Sequence, residues 1–326
     1  MGYIILLLAG VCQGSFGLGY KRYQPLAWEA FWGYYSTLCF VIPLFWTIFI
    51  VPDFLSYFVH SSMASIAVPI LCGLFWGVTA IGFSKAVSSI GMSLVYGISM
   101  GISAVVGALI PYFMSNKNVV SSSFLFLMIG IFITLIGVVI ITFAGIKKEN
   151  KESEPRNTKM KLGLMLAIFS GLGSGAMNIG FEFSKEITDK IHIAGGTELM
   201  ASSVAWLLVL TGGFLSNIFY CGYLMKKNKT YRTFTLKGAK KRCFILIGTC
   251  IIWFTALIAY GTSTYNLGQM GPVIGWILFN AIALMVSNGW GIKTGEWKGK
   301  EKARGLLYAG NLVLLISWIF VGLSNR

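Results

Sequence analysis

SSFLFLMIGIFITLIGVVIITFAGI, residues 122–146, decides the fold, because the whole stretch contains no charged side chain. A helix of about 20 apolar residues crosses a hydrocarbon core of roughly 30 Å. A strand of a membrane barrel would instead alternate apolar and polar residues over about ten positions. The stretch therefore predicts a transmembrane helix.

Nine further apolar runs lie on either side of it, separated by short charged loops. We predict an all-α integral membrane protein with about ten transmembrane helices, in which each boundary carries an error of a few residues. The predicted spans are 2–20, 27–50, 64–87, 91–114, 122–146, 162–183, 197–224, 243–264, 268–291 and 305–323.

The composition leaves no room for a separate soluble domain. Hydrophobic residues make up 56% of the 326 residues and charged residues only 11%, whereas a soluble domain carries about 25% charged residues. A receptor or sensor would need such a domain, and a membrane enzyme would need clustered catalytic side chains at membrane depth. We therefore expect a transporter and not an enzyme, with the lipid bilayer as its surroundings.

The basic residues are distributed unevenly between the two sides. Of the 26 Lys and Arg residues, 22 fall in loops one, three, five, seven and nine. Because Lys and Arg accumulate in cytoplasmic loops, we predict that these loops are cytoplasmic and that both termini lie on the outer side of a bacterial inner membrane. The same bias explains the net charge of +15, so we expect no nucleic-acid partner.

Cysteine and histidine give no sign of a metal site or a cofactor. The six cysteines lie within or at the edges of apolar runs and read as small core residues. The two histidines, His60 and His192, fall in separate loops, which excludes a zinc-ligand spacing. We expect neither a metal ion nor a cofactor.

An internal repeat relates the two halves of the chain, 1–150 and 151–326. At a lag of 161 residues, three glycines of the first span coincide with three of the sixth, and at a lag of 177 Trp76 coincides with Trp253 and Phe83 with Tyr260. A shift of five spans reverses the direction of the chain across the membrane. We therefore predict two inverted five-helix repeats, an architecture that recurs in transporters.

Polar and aromatic residues within the predicted spans are candidates for binding a solute, because an unpartnered polar group in lipid is costly. Amides, hydroxyls and indole rings suit a neutral sugar. Hydrogen bonding between helices remains the alternative role for each amide. The candidate substrate-binding residues are Gln13, Trp76, Thr79, Tyr96, Ser99, Asn178, Trp253 and Asn280.

Two carboxylates near the ends of spans are candidates for proton coupling. Glu29 opens the second span, and Glu182 lies at the end of the sixth, three residues before Lys185. A carboxylate can couple proton movement to transport if the helix bundle buries it. Interfacial anchoring, or an ion pair of Glu182 with Lys185, is the alternative.

Four segments resemble the L-rhamnose-proton symporter family, a branch of the drug/metabolite transporter superfamily. They are FGLGYKRYQPLAWEAFW at 16–32, GLFWGVTAIGF at 73–83, IGMSLVYGISMGI at 90–102 and GEW at 295–297. The resemblance implies ten helices, two inverted halves, and inward transport of a 6-deoxy sugar together with a proton.

Two transport functions remain open on the sequence. The first is proton-coupled uptake of L-rhamnose or a related sugar through alternating access. The second is export of a metabolite or drug, which would use the same fold with a more apolar or more charged cavity. The sequence leaves the exact substrate, the coupling group, the direction of flux and the oligomeric state open.

Overall fold

The computed structural model describes residues 1–20, 23–90, 92–115, 122–149 and 157–325. Lys21, Arg22 and Gly91, which belong to the family-like segments, lie outside the described residues, as does the expected boundary between 150 and 151. Every regular element in the described ranges is helical. Ten of these helical segments are long and apolar enough to cross a membrane, which confirms the predicted number of spans.

The described ranges contain thirteen α-helices and one short 3-10 helix, Thr230–Thr235. The α-helices are α1 Gly2–Ser15, α2 Gly17–Tyr20, α3 Trp28–Ile50, α4 Ser56–Val59, α5 Met63–Ile90, α6 Met92–Ser115, α7 Ser122–Glu149, α8 Asn157–Phe183, α9 Lys185–Ile193, α10 Glu198–Asn228, α11 Ala239–Asn266, α12 Gly271–Lys293 and α13 Glu301–Leu323.

The chain divides into two compact units, and two helices pass from one unit to the other. Unit 1 comprises residues 1–78 and 180–266, and unit 2 comprises residues 79–179 and 267–326. Helix α5 changes unit after Val78, and helix α8 changes unit after Ile179. Each unit therefore draws its helices from both halves of the sequence.

Unit 1 is organised around the second, seventh and eighth spans, α3, α10 and α11, with α1 packed along α11. Glycine allows α10 to approach the unit 1 part of α5. A Cβ atom at Gly73 would lie 1.8 Å from the carbonyl oxygen of Val209, and one at Gly212 would lie 1.9 Å from that of Ile70. The two backbones are therefore in direct contact, which no larger residue permits.

A short helix that the sequence did not predict, α9, packs against α10 in unit 1. Its buried residues Ile187 and Ile191 pack into an apolar cluster. Its polar face binds the loop before α5, because the Glu186 carboxylate accepts a hydrogen bond from the Ser62 backbone N–H at 3.0 Å and Lys190 Nζ donates to Ser61 Oγ at 2.9 Å. These contacts fix the α4 to α5 loop on α9.

Unit 2 is built on α7 paired with α13 and on α6 packed between α7 and α12. Glycines again bring backbones together. A Cβ atom at Gly137 of α7 would lie 3.1 Å from the Gly310 carbonyl oxygen, and one at Gly310 of α13 would lie 3.0 Å from the Gly137 carbonyl oxygen. An apolar cluster around Ile141, Leu307 and Leu314 fills the contact between these helices.

Candidate functional site

Two tryptophans of unit 1 stack on each other. The rings of Trp76 on α5 and Trp253 on α11 have centroids 5.7 Å apart and planes 15° apart. Trp253 is 5% exposed and Trp76 is half-buried. Gly213 on α10 makes room for Trp76, because a Cβ atom there would lie 2.6 Å from the ring. Indole rings are the type of side chain on which the C–H face of a sugar ring stacks, and Trp76 is the member of the pair with the more exposed side chain.

The end of α1 approaches the same pair. The Phe16 ring lies 6.3 Å from the Trp253 ring. Gln13, one helical turn before Phe16, has a buried side-chain oxygen with no hydrogen-bond partner among the described residues. A buried acceptor without a donor costs about 1–3 kcal/mol. A hydroxyl group of a bound solute could supply that donor.

Three of the side chains of unit 2 that the sequence singled out, Ser99, Asn178 and Asn280, donate hydrogen bonds to backbone carbonyl oxygens. Asn178 is fully buried, and its Nδ2 donates to the carbonyl oxygens of Gly107 at 2.7 Å and Pro272 at 2.9 Å. Both amide hydrogens of Asn178 are therefore used to join α8 to α6 and α12. This geometry corresponds to the structural role that the sequence left open for this amide.

Of the other four predicted residues of unit 2, Thr79, Ser99 and Asn280 are buried and Tyr96 is half-buried. Ser99 Oγ donates to the Ala167 carbonyl oxygen at 2.9 Å, and Asn280 Nδ2 donates to the Trp276 carbonyl oxygen at 2.8 Å. Buried Thr79 lies against α8, where Gly173 leaves space for its hydroxyl. The Tyr96 ring packs edge-on against Phe83, with centroids 5.1 Å apart.

The structure thus places the eight predicted binding residues in two groups. Gln13, Trp76 and Trp253 belong to unit 1, and the other five belong to unit 2. Within unit 1 the two tryptophans are in direct contact, and Gln13 lies on the helix that brings Phe16 to Trp253. The substrate-binding role of all eight remains a prediction.

Glu29, the first of the two proton-coupling candidates, lies in a polar pocket of unit 1. It is 8% exposed, and its Oε1 accepts hydrogen bonds from Asn228 Nδ2 at 2.8 Å and from Thr230 Oγ1 at 2.9 Å. These contacts join the start of α3 to the end of α10 and the 3-10 helix. A change in the charge of Glu29 would alter the strength of both hydrogen bonds, because bonds to an ionised acceptor are the stronger ones.

Glu182, the second candidate, is half-buried near the end of α8 in unit 1. Lys185 and Asp189 lie close enough to influence its carboxylate electrostatically. The structure gives it no hydrogen bond to another side chain within the described ranges. Two charged residues therefore lie near Glu182, whereas the described side chains that bond to Glu29 are neutral hydrogen-bond donors.

The sequence interpretation gave no binding role to two aromatic residues of this region. Tyr35 on α3 lies with its ring 6.5 Å from Trp253, and Trp32 donates from Nε1 to Asn217 Oδ1 at 2.7 Å. Their spacing along α3, three residues apart, already placed them on one helix face. That aromatic periodicity was the available signal. The part of the chain that the structure describes holds no group of three His, Cys, Asp or Glu side chains able to bind a metal ion.

Comparison with known proteins gives consistent similarities over the full chain. The family model described as L-rhamnose-proton symport protein (RhaT) matches residues 1–325. A protein of Yersinia pestis (strain Pestoides F) named L-rhamnose-proton symporter is 25% identical over 339 residues, covering 99% of this chain and 97% of its own length. A protein of the same name from Yersinia pseudotuberculosis serotype O:1b (strain IP 31758) has the same identity and coverage.

Proposed function

The chain belongs to the L-rhamnose-proton symport protein family, and from this premise we propose that it takes up L-rhamnose or a related sugar with a proton. A member of this family is a membrane transporter and not an enzyme. The export of a metabolite or drug is not favoured, because the family and the named relatives are proton-coupled sugar symporters. The family's place in the drug/metabolite transporter superfamily is part of the same proposal.

Two inverted five-helix repeats, 1–150 and 151–326, are the architecture we propose. In such a protein, spans one to five correspond in order to spans six to ten. A contact between two spans therefore implies an equivalent contact between the two corresponding spans, which we call its image. The second span contacts the seventh, the fourth contacts the ninth, and the fifth contacts the tenth. Each of these contacts joins two corresponding spans, so exchanging the halves leaves the contact unchanged. The contact of the fourth with the fifth span is matched by that of the ninth with the tenth.

Contacts of the third and eighth spans follow the same rule. The second span, α3, contacts α11, and its image is the close approach of α10 to α5 at Gly73 and Gly212. The first span, α1, contacts α11, and its image is the contact of α8 with α5, where Gly180 meets Cys72. This pattern supports the repeat independently of the sequence match.

The stacked tryptophans support a pseudo-two-fold axis at the proposed binding site. Trp76 and Trp253 occupy equivalent positions of the two halves in the sequence alignment and are in contact in the structure. Two equivalent residues that touch must lie beside the axis that relates them. A site on such an axis can be presented to each side of the membrane in turn, as alternating access requires.

The observation that carries the binding proposal is this pair together with the unpartnered oxygen of Gln13. The indole faces would hold the apolar face and methyl group of the 6-deoxy sugar, and Gln13 Oε1 would accept a hydrogen bond from a sugar hydroxyl. Within unit 2, the hydrogen bonds of Ser99 and Asn178 to backbone carbonyl oxygens favour a structural role for these two side chains.

We assign proton coupling first to Glu29 and second to Glu182. Glu29 is the more deeply buried carboxylate, and among the described residues its side-chain hydrogen bonds come from the neutral donors Asn228 and Thr230. Proton binding would weaken its contacts to the segment after α10 and so connect protonation to a change in that segment. Glu182 is half-buried near the end of α8, within reach of the charges of Lys185 and Asp189.

The membrane arrangement completes the proposal. The ten spans would lie in a bacterial inner membrane with both termini on the outer side, because the Lys and Arg residues are concentrated in the odd-numbered loops. Glu29 at the start of the second span would then lie on the cytoplasmic side. Glu182 at the end of α8 would lie on the outer side.

Uptake of labelled L-rhamnose into proteoliposomes tests the function directly. We expect accumulation when the outside is made acidic and only equilibration when the pH gradient is absent. Metabolites other than sugars should not compete. Uptake that ignores the pH gradient would contradict proton coupling, and the absence of rhamnose uptake in folded protein would contradict the substrate.

The variant Glu29→Gln tests which of the two carboxylates, Glu29 or Glu182, couples proton movement to transport. The Gln side-chain oxygen can still accept hydrogen bonds from Asn228 and Thr230 but cannot bind a proton near neutral pH. We expect Glu29→Gln to abolish proton-driven accumulation and to retain exchange of rhamnose across the membrane. Glu198→Gln, at an exposed carboxylate in the first turn of α10, is the matched control. Unchanged accumulation in Glu29→Gln, with loss in Glu182→Gln, would transfer the role to Glu182.

A further inference from the structure

A row of aromatic side chains runs along one face of α3 in unit 1. Trp28, Trp32 and Tyr35 lie at positions i, i+4 and i+7 of that helix, which places them on one face. The rings of Trp28 and Trp32 are nearly parallel, with planes 9° apart and centroids 6.1 Å apart. The next step, from Trp32 to Tyr35, is also 6.1 Å between centroids.

This row leads to the tryptophan pair of the proposed binding site. The Tyr35 ring lies 6.5 Å from Trp253, and Trp253 stacks on Trp76 at 5.7 Å. Five aromatic rings therefore form a continuous series within unit 1. Its outer member, Trp28, is the first residue of α3 and adjoins Glu29 in the sequence. The series thus connects the region of the proposed coupling carboxylate with the proposed sugar site.

The ring of Trp32 is held in a fixed orientation and is not fully covered. Its Nε1 donates to Asn217 Oδ1 at 2.7 Å, and Asn217 Nδ2 in turn donates to the Gly213 carbonyl oxygen at 2.8 Å. Trp28 and Trp32 are half-buried, whereas Tyr35 and Trp253 are buried. Trp28 and Trp32 therefore keep part of their side-chain surface exposed, while the polar edge of Trp32 is already occupied.

We propose that Trp28 and Trp32 form a second sugar-stacking station, which rests on the proposed function. A sugar leaving Trp253 and Trp76 would pass to this station before it reaches the face of the membrane at which α3 begins. Successive rings about one sugar width apart keep part of the apolar face of the sugar in contact at each step. The sugar hydroxyls can remain hydrated or hydrogen-bonded throughout the movement, which avoids the cost of an unpartnered polar group.

Interfacial anchoring is the competing role, because Trp is enriched where membrane helices meet water. The two roles predict different effects on transport from the two faces of the membrane. A station between the central site and one face changes the apparent affinity for sugar supplied from that face alone. An anchor changes the folding or insertion of the protein and acts on transport from both faces alike.

The test compares L-rhamnose transport from the two faces of proteoliposomes with the protein in one orientation. Trp32→Leu and Trp28→Leu remove the indole faces at similar apolar character, and Trp32→Phe retains an aromatic face but loses the bond to Asn217. Trp46→Leu is the matched control, because Trp46 also lies on α3 and donates from Nε1 to a side chain of α10, Ser203 Oγ, at 2.9 Å. The amount of folded protein is measured for every variant.

We expect the KM for rhamnose supplied from the α3 N-terminal face to rise about fivefold in Trp28→Leu and in Trp32→Leu. The KM from the opposite face should stay close to that of the wild type. Trp32→Phe should recover most of the affinity, and Trp46→Leu should leave both KM values unchanged. If Trp32→Leu fails to fold, Trp28→Leu and Trp32→Phe decide the question.

Two results would contradict the proposal of a sugar-stacking station at Trp28 and Trp32. One is an unchanged KM from the α3 N-terminal face in both Leu variants, and the other is an equal rise from both faces. A wild-type protein that carries no rhamnose would overturn the proposed function itself. That failure is recognised in the wild-type measurement alone, before any variant is compared.

Discussion

Unit 1 and unit 2 both hold polar and aromatic residues within membrane spans, but they use them differently. In unit 2 the buried Asn178 donates both amide hydrogens to backbone carbonyl oxygens, and Trp276 donates from Nε1 to the Ser103 carbonyl oxygen at 3.0 Å. In unit 1 the oxygen of Gln13 has no partner in the described ranges, and Trp76 presents a half-buried ring.

This difference separates two uses of polarity in a membrane protein. Hydrogen bonds to neighbouring backbones join helices and leave little capacity for a ligand. An unpartnered acceptor such as Gln13 Oε1, on the helix that brings Phe16 to Trp253, keeps that capacity. The residues that bind a solute are therefore better identified by their unused hydrogen-bonding groups and open ring faces than by polarity alone.

The largest expected contrast is between Trp253→Leu in unit 1 and Trp276→Leu in unit 2. Loss of the stacked ring at Trp253 should weaken rhamnose binding about tenfold, or about 1.4 kcal/mol. Trp276→Leu should instead lower the stability of the protein by about 2 kcal/mol, because it removes a buried ring and its hydrogen bond. Titration calorimetry and thermal unfolding in detergent measure the two effects. An affinity loss in Trp276→Leu equal to that in Trp253→Leu would remove the distinction between the units.

A second contrast concerns the amide of Asn178. We expect Asn178→Leu to lower stability by about 1–2 kcal/mol, because two carbonyl oxygens lose their donor in a water-poor interior. The folded fraction should bind rhamnose with wild-type affinity, as measured by titration. Asn266→Leu, at an exposed amide that bonds to the Thr262 carbonyl oxygen, is the control and should leave stability nearly unchanged. Weakened binding by folded Asn178→Leu would assign this amide to the sugar site.

The smallest expected effect comes from two glycines of α10. Gly213→Ala would place a methyl group 2.6 Å from the Trp76 ring, whereas Gly222→Ala meets nothing within 4 Å. We expect Gly213→Ala to displace Trp76 and to weaken rhamnose binding about threefold, with Gly222→Ala close to wild type. Binding titrations on both variants measure this, and equal affinities would show that the position of Trp76 does not matter for the ligand.

The membrane spans were predictable because continuous apolar runs carry the signal. The second span, predicted at 27–50, is observed at Trp28–Ile50. The sixth, predicted at 162–183, begins earlier, at Asn157, because the polar first turn of α8 continues the helix beyond its apolar part. Helix α9 was missed because KEITDKIHI mixes polar and apolar residues, and only its packing through Ile187 and Ile191 reveals a buried face.

The candidate site was predictable only in part, for a physical reason. Residue type identified Trp76 and Trp253 as ligand candidates, and their repeat-related positions made a contact between them plausible. Whether an amide is free or bonded depends on backbone carbonyls brought close by folding, so Gln13 and Asn178 looked alike in the sequence. The link from Trp32 to Asn217 joins residues 185 positions apart, which no local pattern indicates.

A structure of the protein with L-rhamnose bound tests the central claim most directly. We predict the sugar ring against the indole of Trp253 or Trp76, with a hydroxyl donating to Gln13 Oε1. A sugar bound instead among Ser99, Asn178 and Asn280, without contact to either tryptophan, would contradict the assignment of the binding site to unit 1.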